Sequence, residues 1–325
     1  MIAARIGAIL SAALLAAACR CEEEAPAAKP VDGGGPGAFA DAGPEAPPPE
    51  LSYRLFDDEA QALEAVLAAE KPGVIGFGEY HQLNRTSDTR SAIARFADGM
   101  MPVLSPSASD LVVETWMSAG RCGKAEKQVV AEVDEVSERP AETADETVQL
   151  LRRAKALGVA PHILTVSCAE YEKVLLADGG LDYLAFLELV AARLGDAATD
   201  SVAGRPADAP RRIVAIYGGA MHNDVAPRAG FEAVSFAKRM AELGRGPYVE
   251  IDVLVPEFVA KSNLAREEPW FPLVARLASK ERVALIDRGG GAYVILLKKG
   301  VRNPAPPQGA STSPPGPAAR TPDRS

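Results

Sequence analysis

Val74-Ile75-Gly76-Phe77-Gly78-Glu79-Tyr80-His81 opens as an apolar run and closes on a carboxylate and an imidazole. A short apolar run bounded by glycine reads as a buried strand. Glu79 and His81 are two residues apart, so extended backbone points both side chains to one side. The design recurs at Ile213-Val214-Ala215-Ile216-Tyr217-Gly218-Gly219-Ala220-Met221-His222, where an apolar strand again ends in Gly-x-x-His. The chain has 3 histidines, and His81 and His222 both hold this position. Residues at the carboxyl end of a buried strand sit where open α/β sheets bind ligands.

Working outward, strand and helix patterns alternate from about residue 51 to residue 300. Asp57 and Asp58 open a helix bearing Leu63, Val66 and Leu67, with Gly73 beyond its end. Thr86 or Ser87 is placed to cap a helix carrying Ile93 and Phe96. Leu111 to Trp116 is a second strand, and residues 123–136 read as helix. Thr143 to Glu146 spells a capping box before Val148, Leu151 and Leu157. His162 to Val166 is a third strand. Asp182 caps an apolar helix through Leu194. Residues 212–217, Phe236 to Leu243 and Tyr248 to Val255 read as strand, helix and strand. Val283 to Asp287 and Tyr293 to Leu297, joined by Arg288-Gly289-Gly290-Gly291, read as a closing β-hairpin. This alternation predicts an α/β fold: a mainly parallel, twisted sheet with helices on both faces.

The ends differ from the body. Residues 1–18 carry one early positive charge and then an Ala-rich apolar run, too short for a comfortable membrane span, and read as a signal peptide. Ala16-Ala17-Ala18-Cys19 resembles a bacterial lipobox, although leucine is more usual at position 16. It predicts cleavage before Cys19, lipidation of that residue and a membrane anchor. Ordinary signal-peptidase cleavage nearby is the alternative. Residues 19–50 hold this cysteine and a Pro-, Gly- and Ala-rich stretch with almost nothing to bury, a composition expected to stay disordered. Residues 301–325 read the same way. The net charge of −9 comes without a basic cluster, which argues against a nucleic-acid partner. The expected location is the bacterial cell envelope, at the periplasmic face of the outer membrane.

Parallel strands bring their carboxyl ends to one edge, so Glu79, His81, Glu114 and His222 are expected to share one crevice. Glu114 follows Leu111-Val112-Val113 directly. Burying it alone would be costly, so it needs a metal, a histidine or an arginine such as Arg85 or Arg90.

Gly78-Glu79-Tyr80-His81, Val112-Val113-Glu114 and Gly219-Ala220-Met221-His222, in this order and spacing, resemble the pattern of the ChaN / erythromycin esterase / Tiki–TraB superfamily. The resemblance implies an α/β sheet surrounded by helices over residues 51–300. It also implies that Glu79, His81, Glu114 and His222 occupy functional positions. ChaN-like members are haem-iron-binding envelope lipoproteins. The esterase-like members hydrolyse a lactone with a histidine base, and Tiki-like members are described as metal-dependent peptidases. The chain departs from the ChaN-like and esterase-like patterns in having no further histidine soon after His81.

Carboxylates with neutral imidazoles suit a divalent metal such as Zn or Mn, with Glu79, His81 and His222 as ligands and an open position for water. Without metal, His81 can act as general base, oriented by Glu79 or Glu114. A polar network that merely closes the strand ends is the bland alternative. Phenolate ligation of haem would draw on Tyr80 or Tyr217; packing or a rim position is their other reading. Trp116 walls the pocket or belongs to the core. Asn223 and Asp224 support the site or form a polar turn. Gly218-Gly219 allows close approach to backbone or only turns the chain. His162 starts its strand at the opposite edge and reads as structural. Cys122 and Cys168 follow strands at the same edge and, in an oxidising compartment, are placed to form a disulfide; two separate thiols are the other reading. The leading expectation is metal-assisted hydrolysis of an ester or amide in a small-molecule or peptide ligand. The alternative is a haem- or iron-binding lipoprotein without turnover.

Overall fold

The computed structural model describes residues 9–10, 51–82, 86, 88–137, 140, 142–206 and 208–303. Cys19, the stretch 20–50, Arg85, Ser87 and the chain from residue 304 lie outside the described residues, as does most of the expected leader. Ile9–Leu10 lies antiparallel against Thr115 and Trp116. Among the described residues, no helix is long and apolar enough to cross a membrane.

The body is α/β. Its strands are β1 (Ser52–Phe56), β2 (Val74–Glu79), β3 (Ala108–Ser118), β4 (Ala160–Val166), β5 (Ile213–Gly219), β6 (Tyr248–Leu254), β7 (Val283–Gly289) and β8 (Ala292–Leu296). They share one sheet in the order β4-β3-β5-β2-β6-β8-β7-β1. From β4 to β8 every pairing is parallel. β7 joins β8 as an antiparallel hairpin and β1 closes the edge, antiparallel to β7. The β1 strand escapes the sequence pattern because it is an edge strand with little to bury. Tyr53 and Leu55 are exposed, and Arg54 lies over the Phe56 ring.

Helix α1 (Glu59–Glu70) begins where expected: Asp58 accepts a hydrogen bond from the Gln61 N–H at 2.9 Å. It stops at Lys71, which takes up the left-handed conformation (φ 48°) ahead of Gly73. The next helix starts later than Thr86. Ser91 caps it, accepting from the Ala94 N–H and donating to Glu146. This segment runs from α2 (Ala92–Arg95) through a π turn (Phe96–Met100) into α3 (Met101–Leu104). Helices α4 (Gly123–Ser137) and α5 (Glu142–Ala156) follow. The expected capping box at Thr143 does not form, because Thr143 already lies inside α5 and its carbonyl accepts from the Thr147 hydroxyl. Then come α6 (Cys168–Lys173), α7 (Tyr183–Ala203, capped by Asp182), α8 (Ala237–Glu242), α9 (Pro256–Val259) and α10 (Phe271–Leu277).

The sheet is covered on both faces. Ile75 and Phe77 of β2, Ala215 and Tyr217 of β5, and Val249 and Ile251 of β6 pack with α1, α2, α3 and α5. On the other face, Val112, Val214 and Ile216 pack with α4, α6, α7 and α8. A smaller core joins Leu254, Ile286 and Val294 to α9 and α10. The neighbours β2 and β5 therefore send the chain to opposite faces: β2 leads to α2, and β5 leads to α8. Their carboxyl ends form a topological switch point, the place where open α/β sheets leave a crevice.

Candidate active site

Glu79 is the last residue of β2, and its register partner is Gly219, the last residue of β5. Phe77 is paired with Tyr217 in the same ladder, so Tyr217 and Glu79 project from one face. The Tyr217 hydroxyl donates to Glu79 Oε2 at 2.5 Å. The other carboxylate oxygen, Oε1, lies 2.8 Å from His81 Nδ1. A carboxylate only accepts, so Nδ1 carries the proton and Nε2 presents its lone pair. Tyr217 is fixed in turn by packing: its ring centroid is 4.7 Å from that of Phe96. Burial falls along this chain of groups. Tyr217 is 2% exposed and Glu79 7%, whereas the His81 side chain reaches 19%. The imidazole is held from below by Glu79, is the most exposed group of the three, and has its Nε2 beside Gly219.

Glu114 approaches from β3. Pairing of β3 with β5 ends at Val113 and Tyr217, and its register with β4 shifts between Val113 and Trp116. This bulge frees Glu114 to lean across the end of β5. Its Oε2 accepts the Gly219 N–H at 2.5 Å, and Oε1 lies 3.5 Å from His222 Nε2. His222 Nδ1 donates to the Val234 carbonyl at 2.9 Å. With Nδ1 committed as a donor and Nε2 facing a carboxylate, the charged form of His222 is favoured. Burial alone would push its pKa down. The Glu114 charge, its hydrogen bond and the Val234 carbonyl outweigh that, and the pKa is raised.

The two histidine–carboxylate pairs meet over the glycines. A Cβ on Gly218 would come 2.5 Å from Glu114 Oε2. A Cβ on Gly219 would lie 3.1 Å from His81 Nε2 and 3.6 Å from Glu114 Oε2. Gly218 makes room for the carboxylate. Gly219 leaves open a space bordered by a basic nitrogen and an acidic oxygen. Glu79, His81, Glu114 and His222 thus come together around Gly218 and Gly219 at the carboxyl ends of β2, β3 and β5.

The donor set does not suit a Zn or Mn ion as it stands. Both His222 nitrogens face protein partners, and among the described residues no three His, Cys, Asp or Glu side chains converge as a metal site. Neither tyrosine is set for haem. Tyr217 spends its hydroxyl on Glu79. Tyr80 leans edge-on against Trp270 at 6.0 Å, and burial together with the Asp252 and Glu268 carboxylates holds its phenol protonated.

His162 lies near the amino end of its strand, its Nε2 2.8 Å from Asp110 Oδ1. Cys122 and Cys168 are bonded, with a Cα–Cα distance of 4.8 Å, and tie the loop after β3 to the start of α6. Trp116 is buried in the core against Phe186. Arg90 pairs with Asp98. Asn223 and Asp224 belong to a buried polar seam with Tyr248, Glu250, Asp252 and Arg288. Its sequence signal was the pair of acids alternating with Val249, Ile251 and Val253 in a central strand. No family model matches this chain, and neither does any curated protein or solved structure.

Proposed function

We propose that the crevice hydrolyses an ester or amide, with His81 as general base. The observation that carries this reading is the chain Tyr217 to Glu79 to His81, which fixes one tautomer and sets Nε2 beside Gly219 at the switch point. Nε2 takes a proton from water, and the hydroxide oxygen bonds to the substrate carbonyl carbon. When the tetrahedral intermediate collapses, the alcohol or amine departs and takes that proton from the imidazolium. Glu79 stabilises the imidazolium while it lasts. The Glu114–His222 pair supplies a fixed charge distribution on the far side of Gly219. No step passes through a metal.

Export and anchoring through Cys19 belong to the same proposal, supported by the leader and lipobox-like sequence. The experiment is hydrolysis of a panel of esters, lactones and peptide amides by the purified chain, its His81→Ala variant and its Glu79→Gln variant. Removing a positioned base is expected to cost about 10²–10⁴-fold in turnover. A panel on which the native chain matches buffer alone would defeat the proposal.

A further inference from the structure

The polar face of β6 is unusual for a central strand. Glu250 is 0% exposed and Asp252 4%, and both project toward Gly76 and Gly78 of β2, which offer no side chains. They separate two apolar cores on that face of the sheet. What fills the gap is the segment immediately after His222. The Tyr248 hydroxyl donates to the Asn223 carbonyl at 2.7 Å. Glu250 Oε2 accepts the Val225 N–H at 2.7 Å, and Asp252 Oδ1 accepts from Asn223 Nδ2 at 3.2 Å. Three alternate residues of β6 thus grip the segment that carries His222 toward Glu114.

Charge in this seam is unbalanced. Arg288, at the end of β7, pairs with Glu250 and lies 3.6 Å from Asp252 and 3.8 Å from Asp224. One guanidinium serves three carboxylates. Tyr248, Tyr80 and Glu268 also border the seam and add no positive charge; Arg228, near Tyr80, is itself paired with Glu267 and Glu268. Asn223 Oδ1 is buried without a hydrogen-bond donor, on the same side of Gly78 as Asp252 Oδ1. A proton on Asp252 would give that oxygen one.

We propose that Glu250 and Asp252 form a proton-dependent clasp on Asn223–Val225, closed when the pair shares a proton and loosened when both carboxylates are charged. The groups sit in the range that makes this useful. Burial, only partly offset by Arg288 and the Val225 N–H, pushes Glu250 up to about 7, and burial beside Glu250 raises Asp252 well above the usual carboxylate range. Both pKa values lie above those of the unfolded chain. The stabilisation is therefore present at acid pH and is lost as pH rises from about 7 upward, as first one and then the other carboxylate of the pair ionises. For a group titrating near 7, the ionised fraction climbs from about one tenth at pH 6 to about nine tenths at pH 8. The clasp stands whether or not the crevice turns over, and its test reads backbone opening, not activity.

Hydrogen exchange on the full chain, corrected for the intrinsic pH dependence of exchange, decides it. Protection in peptides covering 222–226 should fall at least about tenfold between pH 6 and pH 8.5, while peptides from α7 change less. Asp252→Asn should remove most of that fall. Glu250→Gln should also flatten it, and serves if the first variant does not fold. Protection at 222–226 that is flat with pH in the native chain overturns the proposal. So does a foldable variant with the native pH dependence.

Discussion

Replacing Tyr217 with phenylalanine deletes one hydroxyl from the interior of the site. The ring stays, with its packing 4.7 Å from Phe96. What goes is the 2.5 Å hydrogen bond to Glu79 Oε2, between groups 2% and 7% exposed. A buried hydrogen bond to a charged acceptor contributes about 1.5–3 kcal/mol. For a domain of this size, roughly 2–4 °C of melting temperature corresponds to each kcal/mol, so the variant should melt about 3–12 °C lower. Because Glu79 also holds His81 Nδ1, the loss should extend beyond stability. Turnover should fall and the acid limb of its pH profile should move, as Glu79 is freed to turn. Calorimetry together with a pH–rate profile checks both. A variant that melts within about a degree of the native chain, with an unmoved profile, would refute the claim that Tyr217 orients Glu79.

Diethylpyrocarbonate labelling followed by mass spectrometry should modify His81 and His162, whose side chains are 19% and 39% exposed, and spare His222 at 4%. Gly218→Ala puts a Cβ 2.5 Å from Glu114 Oε2, so the carboxylate must shift; overpacking of this kind should cost about 1–3 kcal/mol in denaturant unfolding. Glu114→Gln leaves a buried imidazolium without its carboxylate, a change expected to cost about 3–5 kcal/mol at pH 6. His222's pKa is raised in the native chain, so the stability due to this pair is complete in acid and lost as pH rises. The difference between native and variant should therefore shrink at pH 8.5; a difference that widens would reverse the assignment of charge.

Much of this arrangement was legible in the chain. Two apolar strands each closing on Gly-x-x-His placed His81 and His222 at one sheet edge, because strand period and parallel topology leave little other choice. Helix starts were legible where a capping side chain does the work, as at Asp58 and Asp182. Others were not. Ser91 displaced Thr86 as a cap because its hydroxyl also reaches Glu146, a contact 55 residues away that no local pattern carries. Tyr217 read as packing or a haem ligand, since only the β2–β5 register brings its hydroxyl to Glu79. The bulge that turns Glu114 over Gly218 is likewise a property of three strands together. The edge strand β1 hid because an exposed strand leaves no hydrophobic period to read.

The central claim is that His81, held by Glu79 with Nε2 beside Gly219, is the base of a hydrolytic site. Single-turnover hydrolysis by the full chain, compared with His81→Ala and with His162→Ala as a control away from the crevice, measures it directly. The account predicts a loss of about 10²–10⁴-fold for a folded His81→Ala variant, and a near-native rate for His162→Ala. Equal rates for the native chain and a folded His81→Ala variant would contradict it.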